Sequence, residues 1–155
     1  MFKDEAYREA VKAYVQTIRG HLRELEDEYI VKEMMIRGEV LKRDFTKRQQ
    51  NIIWFIYTFS FYYGKDKALI PRLQDFELCG IGRTKIKQEL DKLINMNVIE
   101  HNELLSLYGI TDPSKWLAPY HAGYNPSRSQ ELFLLNLRDA GVSVEKLIKN
   151  MKGNN

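Results

Sequence analysis

Apolar residues recur at steps of three or four from Lys3 to about Glu28, where Tyr7, Val11, Tyr14, Ile18, Leu22 and Leu25 alternate with charged groups. This spacing predicts an amphipathic helix whose apolar stripe needs a partner, either the chain's own core or a second copy in a homodimer. Gly20 interrupts the stripe and marks a bend or an end. A shorter pattern from Tyr29 to Leu41 predicts a second helix with Ile30, Met34, Val40 and Leu41 turned inward. Residues 1–38 therefore read as N-terminal amphipathic helices.

A new element opens in "KRDFTKRQQ". Thr46 is suited to cap a helix starting at about Lys47, and Gln49 three residues later completes a capping box. The aromatic-rich run that follows predicts a buried helix through Tyr63, closed by Gly64. Its aromatics fall at helical spacing in an apolar run, which favours a core over a base-stacking platform. Ala68 to Ile70 reads as a short extended piece. A helix with Pro71 at its first position follows and stops near Gly80.

Gly80-Ile81-Gly82 predicts a tight turn, and the next helix, residues 83–96, places Ile86, Leu90, Leu93 and Ile94 on one face. "VIEHNELLSL" then predicts a hairpin with strands Val98 to His101 and Leu104 to Leu107, turning at Asn102 and Glu103. Tyr108, Trp116 and Tyr120 are expected to hold the irregular, proline-containing stretch after it against the core. A helix from about Arg128 to Ala140, stopped at Gly141, and a weaker one after Ser143 close the chain. The last few residues should fray.

Helix, short strand, helix, tight turn, helix and hairpin is the order of a winged helix-turn-helix. The expected class is mostly α (α+β), with a short β-hairpin wing and added N- and C-terminal helices. The winged helix is expected over residues 39–125, and C-terminal helices over 126–155. In this order the helix at 83–96 is the reader. Thr84, Lys85, Gln88, Lys92 and Asn95 lie opposite its apolar face, flanked by Arg83 and Lys87, and are donor-rich residues suited to phosphates and base edges. Lys42, Arg43, Lys47 and Arg48 surround the start of the Lys47 helix, where backbone N–H groups favour a phosphate. Lys65 and Lys67 form a third basic spot. Asp91 fits least well, unless it pairs with Lys87 or Arg83 or accepts from a cytosine amino group.

Composition limits the alternatives. The chain has 155 residues, enough for one main core, and its 24 basic against 21 acidic residues make charge placement matter more than net charge. Cys79 is the only cysteine, and His21, His101 and His121 sit on separate elements without ligand spacing, so neither a disulfide framework nor a metal is expected. Gly80 and Gly82 lack the third glycine and later acid of a dinucleotide site. No nucleophile motif or paired carboxylates stand out, so neither enzyme activity nor a cofactor is expected. The charged N-terminus shows no export signal, and the run from Ile52 to Tyr63 is well short of a membrane span, so no membrane association is expected.

From Glu39 to Ile99 the chain resembles the N-terminal DNA-binding domain of bacteriophage replication proteins of the replication protein O type, the replisome organisers. The resemblance rests on "FTKRQ", on "YG" before a lysine-containing turn, on "IP" before "DFE", and on "GIGRTKI" continuing to "NVI". It implies a winged helix that binds double-stranded DNA at a replication origin, engages the host helicase or its loader, and works in the cytoplasm of a bacterial host. Carried over by position, the implied DNA contacts are Arg83, Thr84, Lys85, Lys87 and Gln88. Family members continue into a C-terminal region that engages the helicase or its loader, whereas two short helices follow here and an amphipathic helix precedes the domain. Two other readings stay open: a protein-interaction adaptor using the winged helix as scaffold, and a dimeric winged-helix transcriptional regulator.

Overall fold

The structure is a computed structural model that describes residues 5–22, 26–146 and 149. The chain divides into two units, residues 1–119 and residues 120–155. The first contains helices α1 (Glu5–Leu22), α2 (Glu26–Lys42), α3 (Lys47–Thr58) and α4 (Ile86–Asn95), and strands β1 (Lys67–Leu69), β2 (Ile99–Asn102) and β3 (Leu107–Ile110). Short 3-10 helices at Phe61–Tyr63, Leu73–Cys79, Arg83–Lys85 and Pro113–Lys115 link them. The fold is mostly α and winged-helix-like, with one small antiparallel sheet.

The capping box at the start of α3 is present. The Thr46 hydroxyl accepts from Gln49 N–H at 3.2 Å, and the Gln49 side chain accepts from Thr46 N–H at 3.0 Å. Ile52, Ile53 and Ile56 of α3 are fully buried, so the aromatic run serves the core. Its rings pack edge to face, with Phe55 against Phe59 at 5.1 Å and Trp54 against Tyr57 at 5.6 Å. The helix does not continue to Tyr63. It ends at Thr58 because Ser60 leaves helical geometry (φ −120°, ψ −79°), and its buried hydroxyl donates to the Ile56 carbonyl at 2.7 Å. Gly64 then takes the left-handed conformation (φ 70°).

Pro71 is not the first residue of a helix. Arg72 is extended and donates its N–H to the Asp75 carboxylate at 3.0 Å, so the helical turns start at Leu73 and end at Gly80 (φ 90°). The sheet has strand order β1-β3-β2. Its second hairpin strand starts three residues later than the pattern suggests. Leu104 and Leu105 belong to the turn, which is held by Leu105 N–H on the Asn102 side chain (3.2 Å) and reversed by Ser106 (φ 54°). The first hairpin strand is likewise shifted by one, and Val98 precedes it as a fully buried residue.

In α2 the inward residues are Ile36 and Val40, whereas Ile30, Met34 and Leu41 are exposed. The apolar residues of α2 fall on two faces: packing buries Val40, as expected, with Ile36 four residues before it, and leaves Ile30, Met34 and Leu41 on the other. In α1 the described side chains Tyr7, Val11 and Val15 are exposed; Tyr14, Ile18, Leu22 and Leu25 lie outside the described side chains.

Trp116 is buried, meets Phe45 edge to face at 5.8 Å and donates its indole N–H to the Thr111 carbonyl at 3.0 Å. Tyr108 is buried too, while Tyr120 is half exposed. In the second unit, helix α5 (Pro126–Asp139) is capped by Asn125, whose side chain accepts from Arg128 N–H at 3.0 Å, and it closes at Gly141 (φ 86°). It starts two residues before the expected position because Pro126 occupies the first turn. The weak helix after Ser143 falls mostly outside the described residues.

Candidate nucleic-acid interface

The reader region begins as one 3-10 turn, Arg83–Lys85, and becomes α-helical at Ile86. Ile86, Leu90 and Leu93 are buried, which turns Thr84, Lys85, Lys87, Gln88, Asp91, Lys92 and Asn95 to solvent. Asn97 ends the segment in the left-handed conformation (φ 60°), which asparagine tolerates better than most residues. One inward position differs from expectation: Ile94 is partly exposed and Glu89 is buried. Glu89 lies three residues after Ile86 and so shares its face. The signal was the spacing, overridden by the residue's charge.

The outward cations are not equivalent. Lys85 and Lys87 are exposed and make no ion pair among the described residues. Arg83 donates to Glu77 at 2.8 Å, and Lys92 sits 3.8 Å from Glu89. Asp91 is exposed and pairs with neither Lys87 nor Arg83. The buried Glu89 Oε2 has no hydrogen-bond partner among the described residues, so the carboxylate behind the reader is only partly offset by Lys92.

The basic residues before α3 divide in two. Lys47 and Arg48 are exposed and, with Thr46, Asn51 and Gly80, line an open hollow of about 500 Å³. The fold thus joins the start of α3 to the turn before the reader. Asn51, which the sequence pattern did not single out, secures that junction by donating to the Cys79 carbonyl at 3.0 Å. Its signal was modest: it lies one helical turn after Lys47 on the polar side of the capped helix.

Arg43 does not belong to this surface. It is buried, and its guanidinium donates to Glu39 (2.9 Å) and to the carbonyls of Ala118 (2.7 Å), Trp116 (3.2 Å) and Pro113 (3.5 Å). Planar donor geometry lets one arginine hold several carbonyls of the tail. Lys42 is half-buried and stands 3.6 Å from Glu39. Lys65 is exposed, whereas Lys67 pairs with Glu100.

Cys79 is a half-buried thiol beside the reader turn and donates to the Phe76 carbonyl at 3.2 Å. Burial pushes it from its ordinary value up to about 11, so it is a protonated packing residue near neutral pH. Among the described residues no acidic, histidine and cysteine side chains cluster as a metal site, and no helix is long and apolar enough to cross a membrane.

A three-stranded sheet behind two helices, a glycine turn and an outward-facing polar helix define a winged-helix-like protein. The family described as bacteriophage replication protein O matches residues 21–116, more than half of the chain, and the chain belongs to that family. Its role lies in bacteriophage DNA replication. Comparisons with curated proteins and with solved structures find no match.

Proposed function

We propose that the chain binds double-stranded DNA at a site where phage replication starts, with α4 and its preceding turn in the major groove. The observation that carries this reading is the outward row Thr84, Lys85, Lys87 and Gln88, exposed on a helix whose opposite face is locked into the core. Lysines supply phosphate contacts, while Thr84 and Gln88 supply donors and acceptors for base edges. Lys47 and Arg48 reach a neighbouring phosphate from the start of α3, whose N–H groups add to their attraction. Residues 39–125 form the DNA-binding module in this reading, and the helicase or its loader is the partner that the module brings to DNA.

Selection of bound duplexes from a random pool, followed by titration of the selected sequence at several salt concentrations, tests this. Enrichment of one sequence with salt-dependent affinity is the expected result; no duplex binding at low salt refutes it. A second reading, a protein-interaction adaptor, is favoured by one observation. Val31, Met34 and Met35 of α2 and Tyr7, Val11 and Val15 of α1 are exposed apolar side chains. A homodimer through α1 belongs with that reading.

A further inference from the structure

Glu77 and Arg83 stand on either side of the glycine turn, and their side chains meet across it. The Arg83 Nε–H donates to the Glu77 carboxylate at 2.8 Å. Both ends of this bridge are anchored in the core. Phe76 beside Glu77 is buried, and so are Ile81 and Ile86, which bracket Arg83. The Gly80 N–H donates to the Glu77 carbonyl at 3.0 Å, the Lys85 N–H to the Gly82 carbonyl at 2.8 Å, and Asn51 of α3 to the Cys79 carbonyl at 3.0 Å. From this pinned backbone the two side chains reach outward, Arg83 71 % exposed and Glu77 39 %.

An exposed ion pair adds little to stability, so what this one fixes is direction. Glu77 occupies the Nε side of the guanidinium, and the Nη1 and Nη2 groups make no hydrogen bond among the described residues. Their N–H bonds form a planar fork that matches O6 and N7 of a guanine in the major groove. A phosphate is the poorer target, because Glu77 offsets the charge of Arg83, whereas Lys85 and Lys87 make no such pair. Arg83 also opens the reader, and the N-terminal residues of a reader helix are the ones that meet base edges.

We propose that Arg83 reads a guanine through Nη1 and Nη2, with Glu77 as the positioning residue that aims the guanidinium. This role rests on the DNA-binding reading and names the base that one residue of the reader selects.

The test titrates the selected duplex, versions of it changed at single base pairs, and random duplexes, with wild type and with Arg83→Lys, Glu77→Ala and Glu77→Gln. Wild type should prefer guanine at one position by about tenfold or more. Arg83→Lys keeps the charge but not the fork, and should lose that preference. The two Glu77 variants remove the same negative charge, so both should bind random duplexes more tightly. They differ in the acceptor they leave. A glutamine carbonyl still takes the Nε–H, so Glu77→Gln should keep the guanine preference while Glu77→Ala loses most of it. All three should keep the wild-type thermal melt, since both positions are exposed. Equal preferences in Glu77→Ala and Glu77→Gln would reduce the carboxylate to its charge and overturn the positioning role. A guanine preference that survives Arg83→Lys, or a selected sequence without such a guanine, overturns the proposal and leaves the DNA-binding reading standing. Absence of duplex binding by wild type overturns both.

Discussion

Lys67 on β1 and Glu100 on β2 pair across the central strand, passing over Gly109. Both residues stand in register with that glycine, so one ion pair ties the two outer strands of a three-stranded sheet. A Cβ at position 109 would come within 2.9 Å of Lys67 Nζ and 3.0 Å of Glu100 Oε1. The glycine thus leaves a channel for the pair. The pair also engages Lys67, which leaves Lys65 as the exposed lysine of that basic spot.

Gly109→Ala should uncouple the pair with little change in stability. The displaced atoms are the ends of flexible, exposed side chains, a surface ion pair contributes about 0–1 kcal/mol, and removing a glycine stiffens the unfolded chain. A double-mutant cycle of Lys67→Ala and Glu100→Ala by chemical denaturation should give coupling of about 0.2–1 kcal/mol in the wild type and none in Gly109→Ala.

Arg43→Ala should destabilise the first unit by about 3–5 kcal/mol, because it takes the guanidinium from the buried Trp116 and Ala118 carbonyls and leaves Glu39 with Lys42 alone. Urea denaturation measures this. Duplex affinity, compared where both proteins are folded, should be unchanged; a flatter salt dependence would return Arg43 to the interface.

Lys85→Ala and Lys87→Ala should leave the melting temperature within a degree or two of wild type, since both side chains are exposed and without ion pairs. Each should flatten the slope of log affinity against log salt by about one unit. Gln88→Ala should instead change which duplexes are selected, with about 1–3 kcal/mol lost at one base position.

Cys79 should react with a maleimide far more slowly in the folded chain than in the unfolded chain at neutral pH, because burial raises its pKa to about 11. The sign for stability follows. The folded state keeps its proton longer than the unfolded state, so this contribution is intact below the ordinary thiol value and is lost as pH climbs toward about 11. Comparing melting temperatures of wild type and Cys79→Ser across that window isolates it, and a constant difference across the window would contradict it.

Much of the reader was legible because its signals are local. Thr46 and Gln49 form their capping box within four residues, Gly64 and Gly80 take positive φ where the pattern stops, and Ile86, Leu90 and Leu93 repeat at helical spacing. The wing was harder to place. Alternation in "VIEHNELLSL" is compatible with more than one register, and pairing of β3 with both neighbours, together with the positive φ of Ser106, selects Leu107 rather than Leu104 as the first residue of the strand.

Charge was least legible of all. Nothing in the order of residues distinguishes Arg43 from Arg48, or Lys67 from Lys85, because an ion pair or a set of carbonyl acceptors is supplied by residues far away in the chain. Sequence alone determined the capped start of α3, the glycine turn before residues 83–96 and the outward row of that segment, since each depends on dihedral preference and periodicity within a few residues; the end of α3 and the starts of the Leu73–Cys79 turns and of α5 it placed two to five residues away. The tertiary structure decided which basic groups remain at the surface. The return of the tail to residues 113–118 draws Arg43 inside, and Glu100 reaches Lys67 across Gly109. A cation's availability depends on which acceptors the folded chain brings within reach, and local sequence does not carry that information.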